Sequence, residues 1–221
     1  MAVIPEVLVF DFDGVILESA DIKTRAFCQL FSGYPDKVAA IVAYHEMNAG
    51  ISRFQKFRHI YQHLLNKPLS PNKEQELGER FALLAVEEVM RCPFVPGAPE
   101  LLQTYSVTHP LFVASGTPED ELHRLVGARG LVGLFQGVYG SPKTKTAILE
   151  EILAMTKVPR TSLLFIGDGF SDYEAAKVTG VAFIGRAMPG RPNLFEGLGV
   201  PVVADLFELD RHLGMRTGSR N

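Results

Sequence analysis

Val7-Leu8-Val9-Phe10-Asp11-Phe12-Asp13-Gly14 is the stretch from which the fold is read. Its first half is a short, β-rich apolar run, the pattern of a strand buried on both faces of a sheet. Its second half places two acids and a glycine at the carboxyl end of that strand, the edge at which open parallel sheets hold their ligands. One strand cannot stand alone, so its partners lie elsewhere in the chain. They appear only after Cys92-Pro93. From there, strands are predicted at Leu111–Ser115, near Gly137–Tyr139, and at Ser162–Ile166, Val181–Ile184 and Pro201–Val203. Helices are predicted between them at Ala98–Thr104, Pro118–Arg129, Thr144–Met155 and Tyr173–Thr179, the last closed by Gly180. Such alternation specifies an α/β fold, a doubly wound parallel sheet with helices on both faces.

Between about Ala20 and Arg91 there is no strand pattern, only helical periodicity. Four amphipathic helices are read from Ile22 to Phe31, Val38 to Val42, Ile51 to Leu64 and Leu77 to Val89. Turn chemistry separates them at Gly33-Tyr34-Pro35, Asn48-Ala49-Gly50 and Pro68 to Pro71, where Ser70 can cap a helix that opens with Pro71. The expected organisation is therefore an α/β core from residues 1–17 and 92–221, interrupted by an inserted α-helical cap domain at 18–91. The tail Arg216–Asn221 reads as disordered.

Composition narrows the classes. The 221 residues, 47% hydrophobic and 21% charged, suffice for a full core without staples. The longest apolar runs, about six residues, fall far short of a membrane span of ~20, and the amino terminus lacks a signal pattern. A net charge of −3 with scattered Lys and Arg gives no footprint for nucleic acid or anionic membrane. Cys28 and Cys92 are far apart, which excludes a disulfide framework and suggests a reducing, cytoplasmic setting.

Polar signals recur at the strand ends. Asp11 and Asp13 follow the first strand, Ser115-Gly116-Thr117 the second, Lys143 and Lys145 the third, and Asp168 the fourth, with Asp172 four residues on. The fold gathers these groups into one cleft. Clustered carboxylates repel unless a cation sits among them, and an all-oxygen set without His or Cys suits magnesium (Mg2+). A lysine and backbone amides at a helix start suit a phosphoryl group. One carboxylate can then act as nucleophile and a second, two residues on, as general acid and base.

DFDGV at Asp11–Val15, VASGT at Val113–Thr117, KTKTAIL at Lys143–Leu149 and IGDGFSD at Ile166–Asp172 resemble the four ordered motifs of the haloacid dehalogenase-like (HAD) hydrolase superfamily. The resemblance spans the whole chain, including a helical cap between the first two motifs. It implies Asp11 as nucleophile, Asp13 as general acid/base, and Ser115, Gly116 and a lysine as phosphate binders. It also implies Asp168 as a metal ligand and Asp172 as a further ligand or its partner, with the Asp11 carboxylate and the Asp13 backbone carbonyl completing the shell. Either Lys143 or Lys145 fits the lysine position; the register of the following helix favours Lys145. Asp13 disfavours dehalogenase or phosphonatase chemistry and leaves hydrolysis of a small phosphorylated substrate, or phosphoryl transfer within a sugar.

Gly50-Ile51-Ser52-Arg53 is similar to the cap segment with which β-phosphoglucomutase holds a second phosphate. However, Lys23 stands where that enzyme has histidine, and the fourth motif differs, so phosphatase is preferred over mutase. Arg53 and Lys23, with Lys56 as a third candidate, would read the remote end of the substrate. A non-catalytic relative would have lost Asp11, Asp13 or Asp168, and all are present. Monomer and homodimer are both compatible with the sequence.

Simpler structural roles are weighed for the same residues. Thr117 and Pro118 form an ordinary helix start, Asp172 suits a cap, and Lys56 and Arg58 suit a solvated helix face. His59 and His63 lack a third ligand, and both cysteines read as small buried apolar groups.

Overall fold

The computed structural model describes residues 5–217. Six parallel strands form one sheet: β1 (Val7–Phe10), β2 (Leu111–Pro118), β3 (Gly137–Ser141), β4 (Leu163–Gly167), β5 (Ala182–Arg186) and β6 (Val202–Val203). Their spatial order is β3-β2-β1-β4-β5-β6. The chain therefore builds outward from β1 in one direction and then in the other. Asp11 stands at the point where the winding reverses, the crevice in which doubly wound sheets bind ligands.

Strand side chains alternate between two apolar layers. Leu8, Phe10, Val113 and Ile166 join a cluster that includes α5 (Ala98–Ser106), α6 (Glu119–Ala128) and α9 (Leu206–Thr217). Val7, Val9, Phe112 and Phe165 pack with α7 (Lys145–Thr156) and α8 (Phe170–Thr179) on the opposite face. Burial on both faces explains the unbroken apolar composition of β1 and β4.

Four helices lie in the chain between β1 and α5: α1 (Ala20–Leu30), α2 (Pro35–Met47), α3 (Arg53–His59) and α4 (Pro71–Arg91). Ser70 caps α4 as its position suggests, its hydroxyl accepting from Lys73 N–H at 3.3 Å, with Pro71 opening the helix. The third periodic segment is not one uniform helix: α3 gives way to a π-helical turn over Ile60–Leu64. Where the chain enters and leaves this helical set, Leu17 bridges Phe94, Glu18 N–H donates to Pro93 O and Val95 N–H to Ile16 O. Two short crossing segments thus tether the four helices to the sheet.

Several expectations are corrected. β2 runs on past Ser115 to Pro118, which pairs with Ser141 after a register shift, so α6 begins at Glu119 and Thr117 is not its cap. α8 begins at Phe170 rather than Tyr173. α9 has no counterpart in the sequence reading, although Leu206, Leu209 and Leu213 mark its buried stripe. Arg216 and Thr217 close α9, while the rest of the tail expected to be disordered, 218–221, lies outside the described residues. Cys92 is buried but Cys28 is exposed, because it lies on the outer side of α1 away from Phe27 and Ala26.

Candidate active site

Asp11 leaves β1 with its N–H bonded to Ile166 O at 2.9 Å, which fixes it between β1 and β4. Its carboxylate accepts from Phe12 N–H at 2.6 Å and from Lys145 Nζ at 2.6 Å. Lys145 is the first residue of α7, whose start is capped by Thr144. It is buried and also pairs with Asp172. Asp172, in the first turn of α8, accepts from Gly169 N–H at 2.9 Å, so the capping role and a place in the acidic cluster coexist in one side chain. Asp168 follows β4 and packs on Gly14, whose φ is +75° and where a Cβ would stand 1.9 Å from Asp168 Oδ2. Lys143, in contrast, is on the surface, bonded to Glu151 at 2.6 Å.

Carboxylate oxygens of Asp11, Asp168 and Asp172 lie within 4.8 Å of one another. Burial above all, then the neighbouring acids, pushes the Asp11 carboxyl up to about 7 against the pull of Lys145. Asp168 is raised well above the usual carboxylate range, first by burial and then by Asp11 and Asp172. Burial alone would lower Lys145, but Asp11 and Asp172 outweigh it and hold the ammonium above its ordinary range. Three acids facing one ammonium are under-neutralised. Such an all-oxygen, under-neutralised set fits a hard divalent cation.

Asp13 occupies a separate network. Its carboxylate accepts from Ser19 Oγ at 2.6 Å, from Thr117 Oγ1 at 2.9 Å and from Lys23. Burial opposes ionisation, yet Lys23 and these hydroxyls prevail and hold the group below the usual range. Lys23 Nζ also donates to Thr117 Oγ1 at 2.7 Å. Ser115 is buried and its Oγ accepts from Thr117 N–H at 3.2 Å. Sequence reasoning missed Ser19 and the Thr117 side chain as site groups; Thr117 stands inside the quoted VASGT motif, whereas nothing local marks Ser19.

A cavity of about 530 Å³ opens over these strand ends, walled by Lys23, His45, Arg53, Lys56 and Phe81 from the helical set. Arg53 is buried, paired with Glu121 of α6 and seated over Phe81 at 4.5 Å. Lys56 is not on a solvated face: it is buried, 3.1 Å from His45 Nδ1 and 3.2 Å from His45 O. Arg58 is exposed and bridges to Glu74. His59 stacks on Tyr44 and His63 beside it is exposed, so neither faces the acidic cluster. Arg186, also unforeseen, ties β5 to the segment after Asp13 by bonds to Gly14 O and Glu18.

The family model of the haloacid dehalogenase-like hydrolases matches residues 5–180, from β1 through α8. The chain belongs to that family. No curated protein matches the sequence. Among solved structures, a hydrolase from Pseudomonas syringae superposes with a TM-score of 0.77 at 18% identity, over 95% of this chain and 98% of that one. CbbY from Rhodobacter sphaeroides, solved in complex with phosphate, gives 0.71 at 17% identity, over 93% and 96%. A protein from Haemophilus somnus 129pt, titled a predicted phosphoglycolate phosphatase, gives 0.70 at 16% identity, over 94% and 97%. At these identities the likeness speaks for the HAD fold alone. No helix among the described residues is long and apolar enough to cross a membrane.

Proposed function

We propose that this HAD hydrolase is a magnesium-dependent phosphatase that cleaves a small phosphorylated metabolite through an aspartyl-phosphate on Asp11. The observation that carries the reading is the Asp11 carboxylate at the winding reversal of the sheet, held by Lys145 and crowded by Asp168 and Asp172. Asp11, Asp168, Asp172 and the Asp13 backbone carbonyl would hold the metal. When bound, it supplies positive charge that lets the carboxylates and a phosphoryl group share one site.

Ser115 and Gly116 at the end of β2, with Lys145, orient the phosphoryl group. An Asp11 oxygen forms a bond to phosphorus as the ester P–O bond breaks, and Asp13 gives its proton to the leaving oxygen. A water then attacks phosphorus, its proton passes to Asp13, and the Asp11–phosphorus bond breaks to release inorganic phosphate. Lys23, Ser19 and Thr117 aim the Asp13 carboxylate and favour its ionised form, which suits the second step; the charge of an arriving phosphoryl dianion raises its proton affinity for the first.

Residues 18–91 act as a cap over this site. The tether at residues 16–18 and 93–95 and the mixed walls of the cavity support that division. Arg53 is committed to Glu121, which argues against its holding a second phosphate and favours hydrolysis over a mutase. The test is phosphate release from a panel of phosphorylated sugars and small acids, with Mg2+ and then with EDTA. Release should need the metal and fall at least about a thousandfold in Asp11→Asn, whose circular dichroism stays native. Undiminished release in that variant would overturn the mechanism.

A further inference from the structure

Lys56 is out of keeping with the other cations of the cavity wall. Lys23 is paired with Asp13, Arg53 with Glu121, Arg186 with Glu18 and Arg191 with Asp21. Lys145, beside Asp11, is paired with Asp11 and Asp172. Lys56 is 3% exposed, yet among the described residues its close polar partners are only the ring and carbonyl of His45. His45 cannot supply the missing charge: burial first, then Lys56 and Lys23, push its imidazole down to about 2, so it is neutral. On the other side the Phe27 ring lies 5.6 Å from Nζ.

Buried ammonium groups are ordinarily paired, because an unpaired charge in an apolar wall is disfavoured. The groups that act on Lys56 from farther off are mixed in sign: Lys23 from α1 and Lys145 from α7 oppose its charge, while Asp13 and Asp168 support it. The balance, dominated by burial, brings the amine down to about 7. An anion placed against Nζ would reverse that balance. The room for one exists, because Lys56 lines the same cavity as Asp11 and Asp13.

Resting on the phosphatase reading above, we propose that Lys56 is the specificity-determining residue for a second anionic group on the substrate, one small molecule's length from the phosphoryl group. The substrate class is then a phosphomonoester that also carries a carboxylate or a second phosphate, in preference to a neutral sugar or polyol monophosphate. Within that class, the single ammonium and the neutral imidazole beside it present one charge and few donors. That matches a carboxylate, which carries one charge on two acceptor oxygens, better than a phosphate dianion.

Two measurements test this with the full chain in Mg2+. In the first, kcat/KM is compared for 3-phosphoglycerate, glycerol 1,3-bisphosphate and glycerol 3-phosphate, which share a three-carbon backbone and differ only in the terminal group: carboxylate, phosphate or hydroxyl. Wild type should favour the carboxylate over the alcohol by tenfold or more, and Lys56→Met should collapse that ratio towards one, chiefly through KM. A higher kcat/KM for the bisphosphate would assign the same subsite to phosphate instead of carboxylate and overturn that last choice. Equal use of acid and alcohol by wild type, or a ratio that survives Lys56→Met, would overturn the proposal itself.

The second measurement needs no turnover, so it separates this proposal from the phosphatase reading. Phosphonoacetate and ethylphosphonate, which have no ester bond to hydrolyse, are titrated calorimetrically. Phosphonoacetate should bind at least tenfold more tightly to wild type, and the difference should vanish in Lys56→Met. Equal binding of both by wild type would overturn the assignment of Lys56 whether or not any ester is hydrolysed. Lys56→Gln, with a polar uncharged side chain, should behave as Lys56→Met does and serves if the latter does not fold.

Discussion

A lysine ammonium buried without a counter-ion weakens the fold for as long as it is charged. The Lys56 amine falls from 10.5 towards about 7 on folding. Between those values the unfolded chain binds the proton and the folded protein does not, so the contribution of Lys56 to stability rises with pH across that window. Below about 7 both states are protonated and the penalty is constant. Lys56→Met should therefore stabilise the ligand-free protein at neutral pH, on the order of a few kcal/mol, and the gain should shrink as pH approaches 10.5. Urea unfolding at several pH values checks this, and a gain that grows with pH would contradict the burial argument. Individual residues also show how far a sequence can be read. Asp11, Asp13, Ser115 and Asp168 were legible because each follows a recognisable strand. Lys56 was legible only as a third candidate for the remote end of the substrate: set between Phe54 and Phe57 on a helix, it has the local signature of a solvated face, and only the packing of α2 and Phe27 around it closes off water.

Besides the two tethers, the loop between α2 and α3 joins the helical set to the strand ends. Ala49 O accepts from Ser171 Oγ at 2.6 Å, at the first turn of α8. A Cβ on Gly116 would stand 2.3 Å from Gly50 O, and one on Gly50, whose φ is +83°, would meet Ser171 Oγ at 2.5 Å and Lys145 Nζ at 2.7 Å. Backbone therefore lies directly on backbone where the α2–α3 loop meets the end of β2, and neither glycine can carry a side chain without moving the seam. Gly116→Ala should displace the loop, lowering kcat/KM by about tenfold or more, a change of about 1.4 kcal/mol. The unfolding free energy should shift by only about 1 kcal/mol, since β2 keeps its ladder. Steady-state kinetics beside urea unfolding separates the two; unchanged kinetics would mean the seam opens without cost. Gly50 could be read as a turn former and Gly116 as part of the VASGT motif, but their face-to-face contact joins positions 50 and 116, which no local pattern connects. Element types fared better than ends: β2 outran its expected end because Pro118 pairs with Ser141 across a register shift.

At the scale of the whole molecule, one apolar cluster runs from Phe10 and Ile166 in the sheet through Phe12 and Ile16 to Phe27, Phe57 and Phe81 in the helical set. Phe57 is fully buried, its ring 5.7 Å from Phe27 and 6.0 Å from Phe54. Phe57→Ala should cost about 3–5 kcal/mol. Because the cluster is continuous, the loss should lower one cooperative transition, seen at the same urea concentration by circular dichroism and by near-ultraviolet signals. Two separated transitions would show that the helical set and the sheet are energetically independent. Periodicity and turn chemistry, which are local properties of the chain, were enough to read the parallel α/β sheet, the helical segments between β1 and α5 and the acids at strand ends. The charge partners came only with packing: Lys145, which the helix register already favoured over Lys143, among the acids, Arg53 on Glu121, Lys23 on Asp13, and Lys56 left with a neutral imidazole. Those pairings join residues far apart in the chain, and both burial and the sign of a neighbour exist only once the sheet has brought them together.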